Sequence, residues 1–244
     1  MHSQQLSQTN KKITQRGDSQ GFKFNVDWFS EHEGAWTDIL GTRFSHGGPF
    51  KALVVGPYEG RVVVWMAQNL SSTMSVTVLA DFAKYPHCVS YKDTAVWTKD
   101  VKAVYNHNLD VLQRSKLLSL VDGNTDTALL KLAATETERA SYDIVYIDCS
   151  SSSQALDSAT LALRLLSSGG ILVMTNNVHS RLHDASCPRR GIDAFLDAKV
   201  AEVKVVRNGF HIFIEKRTSQ LQLSPCRAEY FDGTEKDNVC PPAQ

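Results

Sequence analysis

The sequence predicts an α/β fold: a doubly wound, seven-stranded, mostly parallel sheet with helices on both faces, closed by an antiparallel C-terminal hairpin. Three observations predict it. Five short, β-rich apolar runs recur along the chain, helical patterns follow most of them, and the last two strand-like runs flank Asn208-Gly209. Strand–helix alternation calls for right-handed crossovers between parallel strands. Asn and Gly both tolerate positive φ, which is what a tight hairpin turn requires.

The elements follow in order. KALVVG (51–56) is the first strand run, and GRVVVWMAQNL (60–70) its helix. SVTVLAD (75–81) is the second, and KLLSLVDG (116–123) the third, followed by the helix TDTALLKLAA (125–134). YDIVYID (142–148) precedes SQALDSATLALRLLSS (153–168), whose helical spacing puts Ala155, Ala159, Ala162, Leu163 and Leu166 on one face. GGILVMTN (169–176) precedes IDAFLDAK (192–199). All five runs are continuous rather than alternating, as in strands buried on both faces of a parallel sheet. VAEVKVV (200–206) and FHIFIEKR (210–217) supply the hairpin. Residues 1–21 and 218–244 are polar, lack apolar periodicity and read as flexible tails, leaving a domain over 22–217.

Composition narrows the function. The 26 basic and 26 acidic residues cancel, which excludes a polycationic nucleic-acid coat and argues against nucleic acid as a partner. No apolar run is long enough to span a bilayer, and the N-terminus has no secretory apolar region. Five dispersed cysteines without C-x-x-C spacing argue against a disulfide scaffold or zinc cluster and point to a reducing, cytoplasmic setting, although Cys226 and Cys240 could pair. The sequence carries no signal for oligomeric state.

Ligands of open α/β sheets bind beyond the carboxyl ends of the strands, so those ends carry the candidate site. Gly56-Pro57-Tyr58-Glu59-Gly60 follows the first run; its glycines permit a tight turn before a helix N-terminus. An ordinary strand–helix turn is the competing reading. Asp81 ends the second run, suited either to a ribose diol or to a helix cap. Gly123, Asn124 and Thr125 follow the third, as an adenine edge or a cap. Asp148 ends the fourth, with Ser153 a natural cap for the next helix, and Asn176 and Asn177 end the fifth. Asp148, Asn176 and Asn177 could offer oxygens to Mg²⁺, but one carboxylate makes a weak site.

These strand ends, in this order, resemble the class I S-adenosylmethionine-dependent methyltransferases, which are Rossmann-like. Within them the likeness is to a small bacterial-type family related to catechol-type O-methyltransferases, with a pattern near W…LEIGxxEGrS…D…GdS…yIDGsH…LLkpGGilvxDD. DWFSEHEGAW (27–36), LVVGPYEGRVVVW (53–65), VTVLAD (76–81), LVDGNTDTALLKL (120–132), RRGIDAFL (189–196) and, most specific, YDIVYIDCSSSSQALDSATLALRLLSSGGILVMTNNV (142–178) carry it. The resemblance implies S-adenosylmethionine as cofactor and a small-molecule acceptor methylated at oxygen. It implies that Gly56, Tyr58 and Gly60 shape the methionine end, that Asp81 holds the ribose, and that Gly123, Asn124 and Thr125 line the adenine. Asp148 would lie beneath the sulfonium and face the acceptor. In the metal-dependent branch, Asp148, Asn176 and Asn177 would hold Mg²⁺.

Four departures bear on activity. Val54 stands where the pattern has an acidic residue, Cys149 where it has glycine, Ser151 where it has a basic side chain, and Asn176-Asn177 where it has a carboxylate. An unactivated serine is a poor base. His179, or His183, could replace the base, with a solvated loop as the bland alternative. Arg181, Arg189 and Arg190 make that region basic, fit for an acidic acceptor or simply solvated, and Tyr85, His87, Tyr91 and Trp97 lie in a segment suited to a lid or acceptor wall. The alternative function is a methyltransferase-like scaffold that has lost catalysis. A nicotinamide dehydrogenase is disfavoured by the missing fingerprint glycines.

Overall fold

The apolar runs become the strands of one twisted sheet because each presents side chains to both faces. The computed structural model describes residues 21–45, 48–85, 88–91, 94–97, 100–112, 118–175 and 187–218. In chain order the strands are β1 (Lys51–Val55), β2 (Ser75–Ala80), β3 (Cys88–Tyr91), β4 (Thr94–Trp97), β5 (Leu118–Asp122), β6 (Tyr142–Ile147), β7 (Leu166–Met174), β8 (Val203–Arg207) and β9 (Ile212–Lys216). Seven of them form a sheet in the order β5-β2-β1-β6-β7-β9-β8. The first five are parallel; β9 runs antiparallel to β7, and β8 antiparallel to β9. The expected mostly parallel sheet with its terminal hairpin is the architecture found.

Among the described residues, five helices cover it: α1 (Arg61–Asn69), α2 (Val101–Leu112), α3 (Thr125–Ala134), α4 (Ser152–Leu165) and α5 (Pro188–Ala198). A helical stretch over 33–44 precedes them and contains a π-helical turn, Thr37–Gly41. Alternation along each central strand divides the core. Leu53, Val55, Val145, Ile147, Leu172 and Met174 meet α3, α4 and α5 on one face. Ala52, Val54, Ile144, Tyr146, Ile171 and Val173 meet Trp36, Leu40, α1 and Tyr105 on the other. The predicted stripe of α4 (Ala155, Ala159, Ala162, Leu163) is buried in the first half. A Cβ on Gly191 would lie 1.9 Å from the Ser152 carbonyl oxygen, so α4 and α5 cross almost backbone to backbone.

Three details differ from the sequence expectation. The run over 116–123 is not buried on both faces: β5 is an edge strand, with Leu120 and Val121 39% and 43% exposed. The apolar pattern identified a strand but could not show that no strand would pair beyond it. The 153–168 helix ends at Leu165, because Leu166 turns to extended backbone and begins β7. The hairpin β3–β4 and α2 fill the long stretch after the second run; the sequence showed no strong periodicity there.

The N-terminal strap over 21–30 is bound to the body by polar contacts with α2 and the β1–α1 loop. Asn108 of α2 accepts a hydrogen bond from Lys23 N–H at 2.8 Å and donates through Nδ2 to the Lys23 carbonyl at 2.7 Å and to the Glu59 carbonyl at 2.8 Å. It is fully buried, so its loss leaves those groups unsatisfied. Asn108→Ala is expected to cost about 2 kcal/mol, read as a melting temperature lower by roughly 4–8 °C in a thermal scan.

Candidate functional site

Sheet order determines where a site can form. The chain leaves β1 toward β2 and β5, then returns to build β6 and β7 on the opposite side, so the switch point lies between β1 and β6. The ladder continues one residue past each strand there. Gly56 N–H bonds the Leu79 carbonyl at 3.0 Å, Gly123 N–H the Ala80 carbonyl at 2.7 Å, Asp148 N–H the Val55 carbonyl at 2.9 Å and Thr175 N–H the Ile147 carbonyl at 3.2 Å. The strand-end residues are therefore held in register by backbone alone.

At the centre Gly56 adopts φ +77°, and a Cβ there would stand 3.0 Å from the Asp148 Cβ. Glycine is needed for both reasons, and its bareness keeps the crevice between β1 and β6 open. Tyr58 also takes positive φ, +51°, which costs about 1–3 kcal/mol for a residue other than glycine. Two contacts hold it there: its ring is 8% exposed, and its N–H donates to the Tyr85 hydroxyl at 3.1 Å. Gly60 caps the N-terminus of α1.

A cavity of about 300 Å³ opens here, lined by Gly56, Tyr58, Asp81, Tyr85, Thr125 and Asp148 among others. It brings together five residues that the sequence singled out from four separate strand ends. Gly123 and Asn124 lie apart, lining an adjoining groove of about 430 Å³ beside Leu79 and Lys131. The Asn124 side chain accepts the Thr127 N–H at 2.8 Å, so it caps α3. Asn176, Asn177, His179, His183 and Arg181 fall outside the described residues, as do His87 and both C-terminal cysteines. Among the described residues, no group of three or more His, Cys, Asp or Glu gathers to hold a metal, and no helix is long and apolar enough to cross a membrane.

Asp148 is the most perturbed acid of the site. Burial between β1, β6 and β7 pushes its carboxyl up to about 6, while the hydrogen bond from Thr175 Oγ1 at 2.6 Å pulls the other way. Thr175 also accepts the Cys149 N–H at 3.2 Å, so one hydroxyl orders both residues. Burial and the neighbouring carboxylate push the Cys149 thiol upward, which keeps it protonated. Ser151 is committed elsewhere: its hydroxyl accepts the Gln154 N–H at 3.2 Å and caps α4, the role expected of Ser153. Val54 is fully buried against α1 and the 33–44 stretch. It is not among the residues that line the cavity.

Sequence reasoning passed over two groups. Glu59 is 1% exposed; its carboxylate accepts Asn25 N–H at 2.8 Å and Asn25 Nδ2–H at 2.6 Å, which fastens the strap to the loop. Burial raises its pKa despite those bonds. Glu59's place between two candidate positions was the available signal. His211, just before β9, takes the Trp36 Nε1–H on Nδ1 at 3.3 Å inside an aromatic cluster. Burial pushes it down to about 3, with His32 adding to the effect, so the imidazole is neutral. No local signal marks it, since its partner is 175 residues away.

No protein-family model and no curated protein matches the chain. Solved structures do. An O-methyltransferase from Bacillus cereus in complex with SAH aligns over 86% of this chain and 91% of its own, at 15% identity and a TM-score of 0.58. The O-methyltransferase TomG from Streptomyces achromogenes, in complex with SAM, aligns over 69% and 73%, at 15% identity and a TM-score of 0.52. A Corynebacterium glutamicum protein aligns over 88% and 97%, at 14% identity and a TM-score of 0.53. The chain therefore has the Rossmann-like fold of the class I methyltransferases.

Proposed function

We propose that the protein is an S-adenosylmethionine-dependent methyltransferase acting on an oxygen of a small-molecule acceptor. The observation that carries this reading is the convergence of Asp81 and Asp148 on one cavity, with the bare Gly56 between them. The residues fit an adenosyl ligand. Asp81, at the end of β2, is placed to accept both hydrogen bonds of a ribose diol. Thr125 lines the same cavity. The β1–α1 loop leads into the N-terminus of α1, whose positive dipole end suits the carboxylate of an amino-acid end.

S-adenosylmethionine supplies an electrophilic sulfonium methyl. The chain's part is to align the acceptor oxygen behind that methyl and to remove its proton, and positioning alone supplies much of such a rate. Asp148 is the group in place. Its carboxylate favours the cationic sulfonium, and a pKa near 6 leaves it ionised at neutral pH yet basic enough to take the acceptor's proton. Asp148 would take the acceptor's proton as the acceptor oxygen received the methyl. His179 remains a second candidate base. Mg²⁺ fits poorly: one carboxylate with two amides is a weak set for a hard cation.

A catalytically silent scaffold is the second reading, favoured by Val54 lying in the core and Ser151 serving as a cap. Calorimetric titration with S-adenosylmethionine and S-adenosylhomocysteine, each with and without Mg²⁺, separates the two. Micromolar binding independent of Mg²⁺ is expected. No binding under any condition overturns the enzyme reading and leaves the scaffold.

A further inference from the structure

We infer that the turn over residues 82–85 is a displaceable cap on the adenosyl-binding cavity, and that Lys84 and Tyr85 thereby determine which adenosyl ligands the site accepts. Given the methyltransferase reading, on which it rests, the cap covers the two polar groups that a ligand would need. Lys84 Nζ lies 3.2 Å from Asp81 Oδ2, pairing the carboxylate placed for the ribose. Tyr85 Oη accepts the Tyr58 N–H at 3.1 Å, occupying a loop amide placed for the amino-acid end. Adjacent residues of one short turn thus reach two subsites of the same cavity.

The Tyr85 hydroxyl also stands 3.7 Å from where a Cβ on Gly56 would be, so the phenol enters the crevice that the bare glycine leaves open. Its ring packs edge-on against the Tyr58 ring, with centroids 5.3 Å apart. Burial beside Asp148 and Asp81 keeps the phenol protonated, a neutral group that can withdraw without leaving a charge behind. Lys84 is held loosely, its side chain 58% exposed. Phe82, in contrast, is anchored: its ring lies 5.2 Å from that of the buried Tyr105. The turn therefore has a fixed root at Phe82 and two releasable contacts beyond it.

Each contact competes with a different part of the ligand. The Tyr85 bond opposes the amino-acid end, whereas the Lys84 pair opposes the ribose. 5′-Methylthioadenosine has the ribose and the sulfur but no amino-acid end, so it tells the two apart. Affinities for S-adenosylmethionine and 5′-methylthioadenosine are to be measured by calorimetry on the wild-type chain, Tyr85→Phe and Lys84→Met, with folding checked by circular dichroism. Tyr85→Phe should tighten S-adenosylmethionine about three- to tenfold and leave 5′-methylthioadenosine unchanged. Lys84→Met should tighten both by about two- to fivefold. The cap is overturned if Tyr85→Phe leaves S-adenosylmethionine binding unchanged or weaker, or tightens both ligands equally. If Tyr85→Phe does not fold, Lys84→Met decides alone: equal affinity with wild type for both ligands overturns the cap. Binding of neither ligand to any of the three proteins refutes the methyltransferase reading and the cap with it.

Discussion

Asp81→Ala is expected to lower the affinity for S-adenosylmethionine at least about a hundredfold, and for S-adenosylhomocysteine by the same factor. A ribose diol offers two hydrogen bonds to one carboxylate, and a bond to a charged group is worth roughly 1.5–3 kcal/mol. Losing both therefore removes about two decades of affinity or more. Both ligands carry the same ribose, so the two losses should match. The substitution sits at a strand end and removes a side chain whose ion-pair partner, Lys84, is exposed. Stability should hardly change, since a partly exposed ion pair contributes about 0–1 kcal/mol. Titration of the variant beside a thermal melt checks both statements. Wild-type affinity in the variant would remove Asp81 from the site.

The second expected result separates charge from shape. Asp148→Asn should weaken S-adenosylmethionine about tenfold, leave the uncharged thioether S-adenosylhomocysteine nearly unaffected, and abolish methyl transfer. The reason is the sulfonium, a fixed cation that a carboxylate favours and an amide does not. Lowering the pH should imitate the variant. As Asp148 takes up a proton around pH 6, the wild-type preference for the sulfonium over the thioether should fade between about pH 7.5 and 5. Stability moves in the opposite direction. A carboxyl raised from 3.8 to about 6 by burial favours the fold when neutral, so its contribution declines as pH rises through 6. Asp148→Asn should then melt higher than wild type at pH 8, and the gap should close toward pH 4. A variant that melts lower at pH 8 would show that Asp148 is needed ionised for folding.

Much of the fold was readable because the chain states it locally. Continuous apolar runs marked strands, the apolar face of α4 marked a helix, and Asn208-Gly209 marked the hairpin. Local statement also has a limit. The run in β5 looks as buried as that in β1, yet Leu120 and Val121 face solvent, since being an edge is a property of the neighbours. Capping residues were hard to assign for the same reason. Asn124 suited both an adenine edge and a cap, and the cap of α4 was expected at Ser153; in the structure Asn124 and Ser151 cap the two helices.

By itself, then, the sequence determined which segments alternate as strand and helix, where the sheet reverses direction, and which strand ends carry glycine or carboxylate. Those are consequences of period and of residue type. Only the tertiary structure decided that Gly56, Tyr58, Asp81, Thr125 and Asp148 share one cavity while Gly123 and Asn124 line the groove beside it. It also decided that Thr175 orders Asp148, that Asn25 and Asn108 fasten the β1–α1 loop, and that Tyr85 enters the crevice at Gly56. Each of those contacts joins residues at least 27 apart in the chain. Strand pairing, not any local pattern, brings them within hydrogen-bonding reach, because the backbone ladder sets the register at which distant side chains meet.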